Sequence, residues 1–168
     1  KSLNDEVGQA KGLNHFGVVA LQQGRHRNAK AYLQKSLSVS QAIDDKKNMA
    51  ASLLSLGSIA EIEKNYPVAE TYFKQSLSLN REIKNEQDIF YCLFHLSILA
   101  GQYYKDFKTS FAYDLQALEV SQKIGFQRAI AQAHTSLGIN YGAVGNYALA
   151  QEHLEQSLSI RQRVGLAV

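Results

Sequence analysis

The sequence predicts an all-α fold, a right-handed solenoid of four stacked helix–turn–helix repeats with eight antiparallel helices. Two columns of residues and one scarcity carry that prediction. The phrase Ser-Leu-Ser recurs at Ser36, Ser76 and Ser157, and Leu37, Leu77, Leu118 and Leu158 follow one another at spacings of 40, 41 and 40 residues. Phe16-Gly17, Leu56-Gly57, Leu96-Ser97 and Leu137-Gly138 keep the same frame, spaced 40, 40 and 41. Self-similarity at a fixed period of this size marks stacked supersecondary units. The chain also holds a single proline, Pro67, in 168 residues, and helix interiors tolerate proline badly.

The repeats run over about 5–44, 45–85, 86–125 and 126–165, as one domain. Within each, apolar residues return every three or four positions, as Leu53, Leu56 and Ala60 do, which is the period of a helix with one buried face. The helices are expected at 6–22, 27–43, 46–63, 67–83, 86–104, 108–124, 127–144 and 148–163. Asn65, Asp106 and Asn146 stand where N-caps of the second helices of repeats two to four should fall, because their side chains can accept from unpaired first-turn amides. Pro67 sits just inside such a helix, where a missing N–H costs nothing. Gly125 and Gly165 follow second helices where a left-handed C-cap belongs. Gly17, Gly57, Ser97 and Gly138 face Ala29, Ala69, Ser110 and Ala150 and let paired helices approach closely. The third repeat carries one extra residue, placed around 101–104.

Composition excludes several functions. The chain is 45% hydrophobic and 20% charged, with a net charge of +3, too mild for the dense cationic stripe of a nucleic-acid binder. No apolar run is long enough to span a bilayer. The one cysteine, Cys92, rules out an internal disulfide and a thiolate metal cluster, and fits a reducing, cytoplasmic compartment. His15, His26, His95, His134 and His153 lack the i, i+4 spacing of a helical metal site. No phosphate loop, nucleophile or acid–base constellation is present. The chain is read as a non-enzyme without cofactors.

Leu137-Gly138-Ile139-Asn140-Tyr141, followed by Gly145-Asn146-Tyr147 and Ala150, resembles the tetratricopeptide-repeat motif. Leu56-Gly57-Ser58-Ile59-Ala60, Asn65-Tyr66 and Ala69 repeat it. The period exceeds the usual ~34 residues of that family. In this it is similar to the long repeats of kinesin light chains, Pins-type adaptors and bacterial regulators. The resemblance implies that the first helices line a concave, partner-binding groove. The candidate groove residues are Asn14 and Val18 of the first repeat, and Leu54, Ser58, Glu61 and Ile62 of the second. Tyr91, Phe94, Ile98 and Gln102 represent the third, and Thr135 and Ile139 the fourth. Such a groove is apolar and suits an amphipathic helix or an apolar-anchored segment. It lacks the Lys, Arg and Asn set with which family members clamp a terminal carboxylate.

Three readings remain open: a protein- or peptide-binding scaffold, a ligand-sensing arm of a larger regulator, and homotypic end-to-end assembly. The last is motivated by Leu3-Asn4-Asp5, which aligns with Ile43-Asp44-Asp45 as the tail of a preceding repeat, and by the uncapped helix ending near Val168. Two residues break the repeat pattern. Asp114 replaces Leu33, Phe73 and Leu154, and is expected to be bypassed by a local shift that lets Phe111 or Leu115 fill the core. His134 replaces Leu13, Leu53 and Leu93, and is expected at a partly exposed position.

Overall fold

The computed structural model describes residues 3–165 and divides into two compact units that meet in sequence at Asn85 and Glu86. Each unit holds two helical hairpins. The first contains α1 (Leu3–Gln22), α2 (His26–Ala42), α3 (Lys46–Ile62) and α4 (Tyr66–Glu82). The second contains α5 (Glu86–Ile98), which runs on as a π turn over Leu99–Tyr103, then α6 (Phe107–Lys123), α7 (Gln127–Ala143) and α8 (Tyr147–Arg163). Among the described residues the fold is thus all-α, eight α-helices paired as helix–turn–helix repeats. In each unit the first helix of the later hairpin packs against both helices of the earlier one. Most helix ends fall within a residue of expectation, but α1 begins early. Asn4 and Asp5 are helical there, unlike the turn residues Asp44 and Asp45 with which they align. Val168 lies outside the described residues.

Three of the four hairpins close on one glycine and one large side chain of the paired helix. A Cβ added at Gly57 would lie 2.6 Å from the Phe73 ring, one at Gly17 2.5 Å from Leu33, and one at Gly138 2.7 Å from Leu154. The glycine is therefore the socket for a large residue of the partner helix, and any side chain there pushes the helices apart. The Ser-Leu-Ser phrase has its own role. Ser36, Ser76 and Ser157 each donate at 2.8 Å to a carbonyl of the preceding helix, those of Ala10, Ala50 and Ala131. The hydroxyl ties the two helices at a fixed height and satisfies a buried polar group at the same time.

The turns use left-handed backbone throughout. Gly24, Gly125, Gly145 and Gly165 have positive φ, and so do Asp44, Lys64, Lys84 and Lys105 at equivalent turns. Side chains of Asp106 and Asn146 accept from the amides of Thr109 and Leu149, as expected of N-caps, and Asp45 accepts from Asn48. Asn65 occupies its cap position without making that bond. Polar side-chain pairs link hairpin ends at one recurring place. Lys46 bonds Glu82 at 2.8 Å, Glu86 bonds Lys123 with the charges reversed, and Gln127 accepts from Arg163 at 3.1 Å.

The third repeat departs from the others in three ways. Its extra residue is absorbed in the π turn, where the backbone loops out by one residue without ending the helix. Asp114 is not bypassed: it is fully buried in the column of Leu33 and Phe73, while Leu115 is exposed. No register shift occurs because the socket has changed with its occupant. Ser97 stands in for the glycine, and the Ser97 and Asp114 side chains take the place of the glycine and its apolar knob. Asn140 of the next hairpin donates to Asp114 Oδ2 at 2.6 Å and to Ser110 Oγ at 2.7 Å. Burial holds the Asp114 carboxyl above its ordinary value of 3.8, despite the opposing effects of the Ser97, Ser136 and Asn140 donors and the charge of His153. His134 is likewise buried, not partly exposed as expected. Its Nδ1 lies 2.9 Å from His153 Nδ1, and desolvation, followed by the His153 charge, lowers its proton affinity.

Two outcomes follow for stability. Gly57→Val should cost roughly 1–3 kcal/mol by overpacking against Phe73. Gly12→Ala, where an added Cβ meets nothing within 4 Å, should gain about 0.5–1 kcal/mol from helix propensity. Thermal unfolding of the two variants checks both. Because the folded state holds the Asp114 proton more tightly than the unfolded chain does, this group's stabilising contribution is lost as pH rises from 3.8 through its folded-state midpoint. Asp114→Asn should remove that slope from a denaturation series run across the acid range.

Candidate functional site

The first helices present their second stripe beside the packing stripe, and the two units treat it differently. In the first unit, Asn14 is buried, and its amide donates to Ser52 Oγ at 3.1 Å, so its polar end is spent inside the fold. Val18, Leu54, Ser58 and Glu61 are half-buried. The Ser58 hydroxyl bonds back to the Leu54 carbonyl at 3.2 Å. Ile62 is 54% exposed.

In the second unit, five of the expected residues come together around one pocket of about 180 Å³. Phe94, Ile98 and Gln102 follow one another at four-residue spacing along α5 and its π turn, and Thr135 and Ile139 face them from α7. Four-residue spacing stacks side chains on one face of a helix. Phe94 is held by stacking on Phe90, with centroids 5.9 Å apart. Ile139 is 48% exposed and forms an open apolar wall. Tyr91, the sixth expected residue of these repeats, packs its ring edge-on to Phe90 at 5.3 Å and does not line the pocket.

Three further residues complete the lining: Gln132, Ser136 and Arg161. Gln132 stands in the repeat column of Tyr91, so the column alone could have found it. Its Oε1 is buried without a hydrogen-bond partner. Arg161 comes from α8, a second helix, and stands in the column of Ser40, Asn80 and Ser121, all of which are buried. A long cation in a column of small polar residues was the available signal for it. Its Nε donates to Ser157 Oγ at 3.3 Å, and that same hydroxyl sits 2.8 Å from Thr135 Oγ1. The guanidinium stem is thus fastened along the pocket edge, and Arg161 is the one formally charged residue among those lining it.

The pocket has the size and polarity for one apolar side chain. A cavity of roughly 150 Å³ lined by aliphatic groups holds a benzene-sized molecule, so 180 Å³ accommodates a leucine, methionine or phenylalanine side chain. A larger hollow of about 570 Å³ lies between α6, α7 and α8, with Gln127, Glu152 and Glu155 among its walls and Ile130 and His134 on its floor. None of the expected groove residues line it, and its polar walls suit water better than an apolar ligand. Among the described residues, no group of three or more His, Cys, Asp or Glu side chains is placed to hold a metal ion, and no helix is long and apolar enough to cross a membrane. Cys92 is buried.

Comparison with known proteins gives the family. A crystal structure of BtubC (BKLC) from P. vanneervenii matches 95% of this chain with a TM-score of 0.83 at 17% identity, and this chain spans 65% of that one. At that identity the likeness is one of fold. No curated protein matches the sequence. The tetratricopeptide-repeat profile matches residues 8–82 and 95–163, most of the chain in two blocks. Together with the glycine sockets and the paired helices, this shows that the chain belongs to the tetratricopeptide-repeat family, whose repeat arrays serve as protein-binding scaffolds.

Proposed function

We propose that the chain captures a protein or peptide segment by seating one apolar side chain in the pocket between α5 and α7. The observation that carries this reading is the convergence of Phe94, Ile98 and Ile139 on a cavity of side-chain size. An apolar floor supplies affinity, since burying one large aliphatic or aromatic side chain is worth about 1.5–3 kcal/mol. The polar rim supplies orientation. The Arg161 guanidinium at the pocket edge favours an acidic group beside the anchor. A short helix or an extended strand of the partner can present such an anchor. The 40-residue period supports placing the chain with the long-repeat adaptors and regulators, in which a segment of another protein is the ligand.

Calorimetry with capped peptides, each carrying a single Leu, Met or Phe anchor, tests the reading. At least one anchor class should bind. Phe94→Ala and Ile98→Ala should each weaken it about tenfold, near 1.4 kcal/mol, while Leu115→Ala, at an exposed site outside the pocket, should not. Binding that is indifferent to both pocket substitutions would sink the proposal.

A second reading, self-association, is favoured by the outer face of α1. Phe16 is 63% and Val19 47% exposed, whereas the equivalent Leu56, Ile59, Leu96 and Leu99 are buried. In the first unit Leu56 and Ile59 pack with Leu33 of the preceding hairpin. Its equivalent, Leu154, is exposed on α8 and offers a second copy the same kind of knob. Sedimentation should then show a concentration-dependent dimer or chain that Phe16→Glu dissolves. A clean monomer at high concentration, or an oligomer indifferent to that change, speaks against it.

A further inference from the structure

Four departures from the repeat pattern meet at one buried point of the second unit. They are Ser97 in a glycine column, Asp114 in a Leu/Phe column, Asn140 in the column of Val19, Ile59 and Leu99, and the inserted residue that forms the π turn. The turn brings Gly101 so close that a Cβ there would lie 2.7 Å from both Asn140 Oδ1 and Ser110 Oγ. Asp114 Oδ2 accepts from Asn140 at 2.6 Å, whereas Asp114 Oδ1 has no well-formed hydrogen bond although it is fully buried. The hydroxyls of Ser97 on α5 and Ser136 on α7 are the donors near enough to act on the carboxyl.

This cluster lies directly behind the pocket. Ser136 is itself a lining residue, and Ser97, Asn140 and Gly101 are the chain neighbours of Ile98, Ile139 and Gln102, which line it too. Every group that holds the Asp114 side chain is therefore part of the pocket wall or one peptide bond from it. Equivalent contacts in the first unit are apolar: Leu33 packs with Leu56 and Ile59 there and cannot change its charge.

We propose that Asp114 is a proton-linked positioning residue for the pocket between α5 and α7, so that gain or loss of its proton rearranges the pocket wall through Ser97, Ser136 and Asn140. The proposal rests on reading that pocket as the binding site, and deepens it by assigning a regulation to it. The ionised carboxylate is an acceptor at both oxygens and is buried without a bonded cation. It therefore draws the Ser97 and Ser136 hydroxyls onto Oδ1 and takes the Ser136 donor out of the wall. The neutral acid carries its own donor and leaves Ser136 to face a ligand. Burial favours the neutral form, in line with the raised proton affinity of Asp114. From α8 the titratable group acting on Asp114 is His153, which bonds His134 and stacks on Tyr141 at 5.4 Å, and Glu152 acts in turn on His134. The charge of His153 favours the ionised carboxyl.

The test needs no ligand and is independent of the peptide measurements. The carboxyl carbon of Asp114 and the methyl signals of Ile98 and Ile139 are followed by NMR from about pH 3 to pH 8, the range that spans free carboxyl and imidazole titration. The expected result is one shared midpoint for the Asp114 carbon and both methyls, above 3.8. That transition should vanish in Asp114→Asn. The double variant Ser97→Gly/Asp114→Leu, which restores the pattern of the other repeats, should lose it as well. Methyl signals that stay flat across the range, or a methyl transition that survives in both variants, would overturn the proposal. Failure of the peptide assay with this shared midpoint intact would count against the binding reading alone.

Discussion

The closest constraint in this protein is the absence of a side chain at one position in three of its four hairpins. Gly17, Gly57 and Gly138 leave a hole that Leu33, Phe73 and Leu154 fill, with separations that no Cβ could tolerate. Helix spacing, and hence everything carried on the helices, depends on that fit. Close packing makes such a contact unforgiving, because a buried ring has nowhere to move when its socket is filled. The serine tie from α2, α4 and α8 to the preceding helix then sets the height at which the two helices meet. Socket and tie together explain why two short phrases recur at the same period while the surface residues between them drift.

The third repeat shows what happens when the socket is refilled. A serine in place of the glycine removes the room for a large apolar knob, and Asp114 takes that place with hydrogen bonds to replace the lost packing. A buried carboxyl is a poor source of stability, since its desolvation offsets much of what its bonds contribute. It does confer a property that a leucine cannot have, a response to protons. The added residue in the π turn is part of the same solution, because it brings Gly101 against the amide and hydroxyl that complete the cluster.

The pocket grows out of these facts. Its floor is the ordinary second stripe of two first helices, apolar at Phe94, Ile98 and Ile139. Its one charged edge residue, Arg161, breaks the column of Ser40, Asn80 and Ser121. Had α8 carried a small residue there, as α2, α4 and α6 do, the pocket would be lined by neutral groups alone.

Much of the fold was legible in the residue pattern. Period, helix number, most helix ends and the glycine column follow from spacing and from local backbone chemistry, which act over a few residues and leave a mark at fixed intervals. The stripe that lines the pocket was legible for the same reason, and Phe94, Ile98, Gln102, Thr135 and Ile139 were found on it. What spacing could not reveal was how breaks in the pattern are resolved. Asp114 and His134 looked like positions the core would avoid, yet both are buried, because Ser97, Asn140 and His153 approach them from other helices. Arg161 reached the pocket from a helix that pattern alone assigns to the outer layer. Those outcomes depend on contacts between residues 13 to 26 positions apart, and only the packed chain decides which distant partner is near enough to hydrogen-bond a buried polar group.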